Sequence, residues 1–95
     1  MQYSVKKFIA IESPNEKHNR YSVTFGLHDT GSNKNTNVQC FVVMSGNENK
    51  TENEICQLAF SGSFNMISGA SGRLASSDTV APSWDATGSM FVPDL

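Results

Sequence analysis

The sequence predicts an α+β fold, in which an antiparallel sheet of three or four strands carries one helix, about 51–68, packed on one face. The first half of the chain alternates apolar and polar residues between turn-forming segments, which is the pattern of half-buried strands. The second observation is a Thr-x-x-Glu pattern at Thr51 and Glu54, which is typical of a helix start. The predicted order is β-β-β-α-β, and 95 residues suit a single small domain over 1–95.

An all-β sandwich or small barrel is the alternative fold. It arises because the predicted helix also contains a period-two alternation, so that it fits a strand as well. The apolar members of that alternation, with one glycine, are Cys56, Leu58, Phe60, Gly62, Phe64 and Met66. We prefer the helix because the capping pattern has a physical role there and the stretch is longer than an ordinary strand.

The first strand is predicted over Gln2–Glu12. Its odd-numbered positions form an apolar face that only Lys7 interrupts; this face consists of Tyr3, Val5, Ile9 and Ile11. A lysine in an apolar register indicates an edge strand, where charge discourages association. It also fits a bulge near Lys6 and Lys7 that turns Phe8 inward.

Two more strands follow polar turns. Arg20–His28 alternates cleanly, so that its apolar residues face a core and His28 faces water. Asn37–Met44 is apolar on both faces, with Val38, Cys40, Val42 and Met44 on one and Phe41 and Val43 on the other. We therefore expect it to be a central strand, covered on each side or at an interface.

The predicted helix has weak formers in its interior at Ser61, Gly62 and Ser63. Gly69 lies where a glycine would end it. Helical projection places four residues together against the sheet, namely Ile55, Ala59, Gly62 and Met66.

The chain after the helix is rich in glycine and serine. A long structureless loop is uncommon in a small domain, so we expect a short strand within it, at 73–75 or 79–81. Ser89–Val92 predicts a last strand, which ends before Pro93 because proline cannot donate a hydrogen bond inside a sheet.

Charge and hydropathy exclude several classes of function. The net charge is −2, and the seven basic residues are scattered apart from Lys6 and Lys7, so the chain lacks the basic surface that duplex nucleic acid requires. It also lacks a basic amphipathic segment, a membrane span and an apolar signal segment. We therefore expect no membrane partner and a cytoplasmic protein.

Catalytic and metal-binding patterns are absent from the sequence. His18, His28, Cys40 and Cys56 do not have the spacing of a metal site, and nothing places a histidine with an acid and a nucleophile. We expect no enzyme activity, no metal, no cofactor and two buried free thiols. A disulfide is the alternative for an exported protein, and an enzyme with His28 as general base is the weakest functional hypothesis.

The most informative functional feature is the stretch Ile55–Gly72, which contains no charged residue. A surface helix normally collects charge on its outer face, so we expect this stretch to be covered by the chain's own tail or by a partner protein or second copy. The sequence thus predicts a non-enzymatic protein-binding or accessory module, such as a small inhibitor. Its candidate contact residues are Phe60, Phe64, Met66 and Trp84.

The alternative function is a ligand-binding module for single-stranded nucleic acid or carbohydrate. It would use aromatic side chains on an open sheet face, such as Tyr3, Phe41 and Trp84. Trp84 in a loop could stack on a sugar or a base, or it could fold back over the end of the sheet.

Overall fold

The computed structural model of the chain describes residues 1–11, 18–45, 50–76 and 89–94. The elements, in chain order, are β1 (Gln2–Ile11), β2 (His18–Asp29), β3 (Lys34–Ser45), α1 (Glu52–Gly62), α2 (Phe64–Ser76) and β4 (Ser89–Phe91). The strands form one antiparallel sheet in the order β3-β2-β1-β4. The predicted α+β class is confirmed, with two helices in place of one. The described strands do not form the sandwich or barrel of the alternative.

A β-bulge divides β1 into two parts. Val5 pairs with Phe25 and Lys7 with Thr24, so the register shifts between Val5 and Lys7. Beyond the shift, Phe8 pairs with Val23 and packs against the core, as the bulge interpretation predicted. The bulge also overturns one expectation: Ile9 and Ile11 do not share a face with Tyr3 and Val5, because the extra residue moves them to the opposite side of the sheet.

Gly26 on β2 accommodates the bulge. A Cβ atom at this position would lie 2.7 Å from Lys6 Cε and 2.7 Å from Ser4 Oγ. The absence of a side chain therefore lets the Lys6 stem cross the sheet surface at this point.

The prediction that the third strand is central is wrong for the described sheet, because β3 lies at its edge and pairs with β2 alone. The strand is also longer than predicted, since Lys34 pairs with Asp29 across a tight turn. The Asp29 carboxylate accepts hydrogen bonds from the Gly31 N–H (3.2 Å) and the Ser32 hydroxyl (2.8 Å), which lowers its pKa. Asn33 completes the turn with φ 55°, a conformation that asparagine tolerates.

The capping box at Thr51 is present. The Thr51 hydroxyl accepts a hydrogen bond from the Glu54 N–H (3.2 Å), and the Thr51 N–H donates to Glu54 Oε1 (3.3 Å). These two bonds satisfy donors that would otherwise be unpaired at the start of α1.

The single predicted helix is interrupted at Ser63. This residue has φ −115° and ψ 19°, and its N–H still donates to the carbonyl of Ala59 (3.1 Å). The chain therefore bends and continues as α2, at the point where serine and glycine weaken the helix. Gly69 does not end the helix, and 73–75 is helical rather than the expected strand. The other expected position of that strand, 79–81, lies outside the described residues.

The core lies between the two helices and the inner face of the sheet. Its largest fully buried side chains are Val23, Phe25, Leu27, Cys40, Phe60 and Ile67. Of the four helix residues expected against the sheet, Ile55 and Ala59 are buried, whereas Gly62 and Met66 are exposed. The helix is rotated relative to the prediction because Phe60 and Ile67 bring more apolar area into the core than Gly62.

Phe60 is at the centre of an aromatic cluster that joins α1 to three strands. Its ring centroid lies 5.1 Å from Tyr3 on β1, 5.5 Å from Phe25 on β2 and 5.4 Å from Phe91 on β4. The Tyr3 and Phe25 contacts are edge-to-face, a favourable geometry for aromatic pairs.

The last predicted strand is confirmed in most of its length as β4, which pairs with residues 3–5 of β1. The segment after it is fixed to α1 by one side chain. The Gln57 amide donates to the Val92 carbonyl (2.9 Å) and accepts from the Asp94 N–H (2.9 Å).

Replacement of the cap tests whether α1 depends on its predicted start signal. We expect Thr51→Ala to lower the free energy of unfolding by about 1 kcal/mol, because the N–H of Glu54 loses its acceptor. Thr51→Ser, which keeps the hydroxyl, should stay close to the wild type. Urea denaturation followed by circular dichroism measures both, and equal stability of the alanine variant and the wild type would contradict the prediction.

Candidate functional site

The outer face of the sheet is the side opposite α1 and α2. Both helices pack on the inner face, where the buried cluster lies, and no described helix or strand lies over the outer face. Its side chains come from both parts of β1, from even-numbered positions of β2, from odd-numbered positions of β3 and from Met90 of β4. It is therefore the surface on which a binding site could be built.

Four apolar side chains on this face form what we call the outer patch: Ile9, Ile11, Phe41 and Val43. The strand register places Ile9, Ser22 and Phe41 in one row across three strands, and Ile11, Arg20 and Val43 in the next. Phe41 is 63% exposed and Val43 is 57% exposed. Because β2 lies between β1 and β3 and neighbouring strands are about 5 Å apart, the two isoleucines lie about 10 Å from Phe41 and Val43.

The serine between Ile9 and Phe41 makes its hydrogen bond within the sheet. Ser22 is buried between Ile9 and Phe41 in the row, and its hydroxyl accepts a hydrogen bond of 2.9 Å from Gln39 Nε2. A satisfied, buried hydroxyl adds little polarity to the surface above it. The patch therefore presents mainly hydrocarbon to solvent.

Among the described residues, the exposed charges around the patch are of one sign. Lys7 and Arg20 are exposed on the outer face, with Arg20 between Ile11 and Val43 in the register. None of the outer-face residues that the structure describes is acidic. The patch is therefore apolar with a basic margin.

The other end of the outer face is mostly polar, although Met90 of β4, which pairs with Ser4 there, is 73% exposed. Ser4, His28 and Asn35 are buried there, so the expectation that His28 faces water is wrong. It does lie on the predicted side of β2, but its neighbours cover it. The described residues contain no group of histidine, cysteine and acidic side chains that could hold a metal ion.

The candidate contact residues on the helices do not form one surface. Phe60 is 1% exposed and belongs to the core, in contrast to its expected place at a contact surface. Phe64 and Met66 are each 47% exposed, but residues two apart lie on different sides of a helix. Phe64 approaches Phe60, with ring centroids 6.5 Å apart. Trp84 lies outside the described residues.

The absence of charge over Ile55–Gly72 has a simple structural basis. The inward positions are filled by apolar residues, and most outward positions carry serine, glycine or asparagine. Leu58 is an exposed apolar residue of α1 that the sequence-based set of contacts did not include.

The two described aromatic residues of the alternative function, Tyr3 and Phe41, lie on opposite faces of the sheet. Tyr3 lies on the inner face and packs edge-to-face on Phe60, which contradicts its expected place on an open face. Phe41 is on the open face, as expected. The sequence pointed to Phe41 and Val43 through the two apolar faces of β3, whereas only the bulge brings Ile9 and Ile11 beside them.

A small open cleft lies between the start of α1 and β4, with a volume of about 160 Å³. Its lining residues are Val5, Glu52, Asn53, Cys56, Met90 and Phe91. Pockets that enclose drug-sized ligands are usually about 300–1,000 Å³. The cleft is therefore too small to enclose such a ligand.

Both cysteines are buried free thiols, as expected. Burial raises the pKa of the Cys40 thiol, and a hydrogen bond with Ser63 opposes that rise. Burial and the nearby Glu52 carboxylate raise the pKa of Cys56 to about 11. Neither thiol has the lowered pKa of a nucleophilic cysteine.

Comparisons of the chain with protein-family models, curated proteins and solved structures found no match. Neither described helix has the length and apolar character needed to cross a bilayer.

The cysteine environment predicts slow labelling and a specific pH dependence. Near neutral pH, Ellman's reagent should react with the thiols only after a denaturant unfolds the protein, because both are buried and protonated. Rapid labelling of the native protein would contradict this.

The pH dependence follows from the raised pKa of Cys56. Its thiol form stabilises the fold fully below the ordinary thiol pKa of 9.0, and this contribution is lost as the pH rises toward about 11. The difference in unfolding free energy between the wild type and Cys56→Ala should therefore shrink over that interval. Urea denaturation at a series of pH values measures it.

Proposed function

We propose that this protein is a non-enzymatic module that binds another protein through the outer patch. The observation that carries the proposal is a group of four exposed apolar side chains in two adjacent rows of the sheet, namely Ile9, Ile11, Phe41 and Val43. Single exposed apolar residues are ordinary. Several of them on one face, with a polar margin, are characteristic of protein interaction sites.

The shape of the surface favours a protein partner over a small molecule. The patch lies on the face of a sheet, which offers area but no enclosure, and small ligands require a concave site that buries most of their surface. A protein partner, by contrast, can cover a broad surface of this kind. An accessory or inhibitory role is compatible with such a contact, and the expected cytoplasmic location stays a prediction.

Binding of single-stranded nucleic acid or carbohydrate has less support. Such modules stack successive bases or sugars on several aromatic rings. Among the described residues, Phe41 is the one aromatic side chain of the outer face. The rest of the patch is β-branched and aliphatic, which provides hydrophobic contact without a stacking platform.

The helix surface expected to make the contact supports the proposal less well than the sheet. Phe64 and Met66 lie on different sides of the helix, and Phe60 is inside the core. Leu58 and Met66 therefore provide matched control positions: they are exposed and apolar, as the patch residues are, but they are on the other side of the molecule.

The test compares two double variants with similar loss of apolar surface. Phe41→Ser with Val43→Thr removes half of the outer patch, and Leu58→Ser with Met66→Ser removes exposed area from the helices. Proteins captured by the wild type from its source cells are purified, and their dissociation constants are measured by calorimetry. We expect the patch variant to bind at least about 10-fold more weakly, because central apolar anchors carry most of the energy of an interface.

The helix variant should bind like the wild type. Equal losses from both variants, or binding that neither variant changes, would contradict the proposal. Circular dichroism and thermal unfolding of both variants serve as folding controls, since exposed substitutions usually alter stability by about 0.5 kcal/mol or less.

A further inference from the structure

We infer that the partner segment seated on the outer patch is acidic, with carboxylate side chains placed around an apolar centre. This inference rests on the proposed function and adds the chemistry of the partner. The patch supplies the apolar centre of the contact. The basic side chains beside it favour carboxylate side chains on the partner around that centre.

Two exposed cations lie within reach of the patch. Arg20 stands in the same cross-strand row as Ile11 and Val43, so it lies inside the area that a partner would cover. Lys7 precedes Ile9 by two residues on the same face of β1, which corresponds to about 7 Å along the strand. A partner that covers the patch therefore removes water from both cations.

Such cations require a counterpart. No acidic residue lies on the part of the outer face that the structure describes, so the described strands provide no carboxylate on this face for Arg20 or Lys7. A covered charge without a partner is costly, whereas a carboxylate that pairs with it restores the interaction and fixes the register. Arg20 can also hold a carboxylate through two parallel hydrogen bonds.

The same charges disfavour a second copy of this chain as the occupant. Two outer faces related by a two-fold axis would bring the basic side chains of one copy close to those of the other, and like charges at an interface are unfavourable. Nucleic acid is anionic, but the described outer face offers one aromatic ring and two exposed cations, which is little for a ligand bound by base stacking and many phosphate contacts. These features favour an acidic protein segment.

The experiment selects ligands without assuming their sequence. A phage library of random peptides of about 12 residues is selected against the immobilised full chain, and the enriched peptides are synthesised with a fluorescent label. We expect them to combine Asp or Glu with aliphatic or aromatic residues. Fluorescence polarisation should show binding that weakens as salt rises, because exposed ion pairs are screened.

Three variants separate the apolar and charged contributions. Phe41→Ser removes an apolar contact residue of the patch. Lys7→Glu with Arg20→Glu reverses the charge of the basic margin, and Leu58→Ser is the control on the helices. We expect the first two to weaken peptide binding at least about 10-fold, and the control to bind within about 2-fold of the wild type.

The outcomes distinguish this inference from the proposed function. Enriched peptides whose binding depends on Phe41 but that are not acidic, or that still bind the charge-reversed variant, would overturn the inference that the partner is acidic. They would leave the protein-binding proposal standing. Failure to obtain any peptide that depends on Phe41 would count against both. Tight binding of a labelled oligothymidylate that Phe41→Ser abolishes, or a dimer in light scattering that this variant dissociates, would also overturn the inference.

Discussion

The packing of one phenyl ring, that of Phe60, organises this fold. The ring touches Tyr3, Phe25 and Phe91, and so connects α1 with β1, β2 and β4. Each such aromatic pair adds about 0.5–1.5 kcal/mol beyond the burial of its area, and the contacts also determine the rotation of the helix. With Phe60 directed inward, Leu58 and Met66 are left at the surface. Phe60, which the sequence analysis placed at a contact surface, instead determines which residues of the helices are exposed.

The cluster also determines which side of the sheet is covered. Because Tyr3, Phe25 and Phe91 all belong to the inner face, α1 must lie there, and α2 follows it after the bend at Ser63. The described helices therefore protect one face of strands that are 10 to 12 residues long. The outer face, over which no described helix lies, divides into a mostly polar end and the apolar outer patch.

Local patterns in the sequence predicted local structure well. The capping box at Thr51, the alternation of β2 and the last strand near Ser89 all rest on neighbouring residues, and the structure confirms them. The edge position of β3 was not predictable in the same way, because two apolar faces suit either a central strand or an interface. The inward rotation of Phe60 depends on Tyr3 and Phe91, which are distant in sequence. The sequence therefore indicated two residues of the candidate site, Phe41 and Val43. The helix residues that it also indicated do not belong to that site.

The β1 bulge links the core to the outer patch. Without the shift between Val5 and Lys7, the odd-numbered residues would continue on one face, so Ile9 and Ile11 would follow Tyr3 and Val5 inward. The one-residue shift places Phe8 in the core instead and moves both isoleucines beside Phe41 and Val43. Bulges that redirect side chains in this way are often found near functional sites. The strand thus divides its apolar residues between the two faces, and the two isoleucines that it exposes lie in the rows that β3 completes.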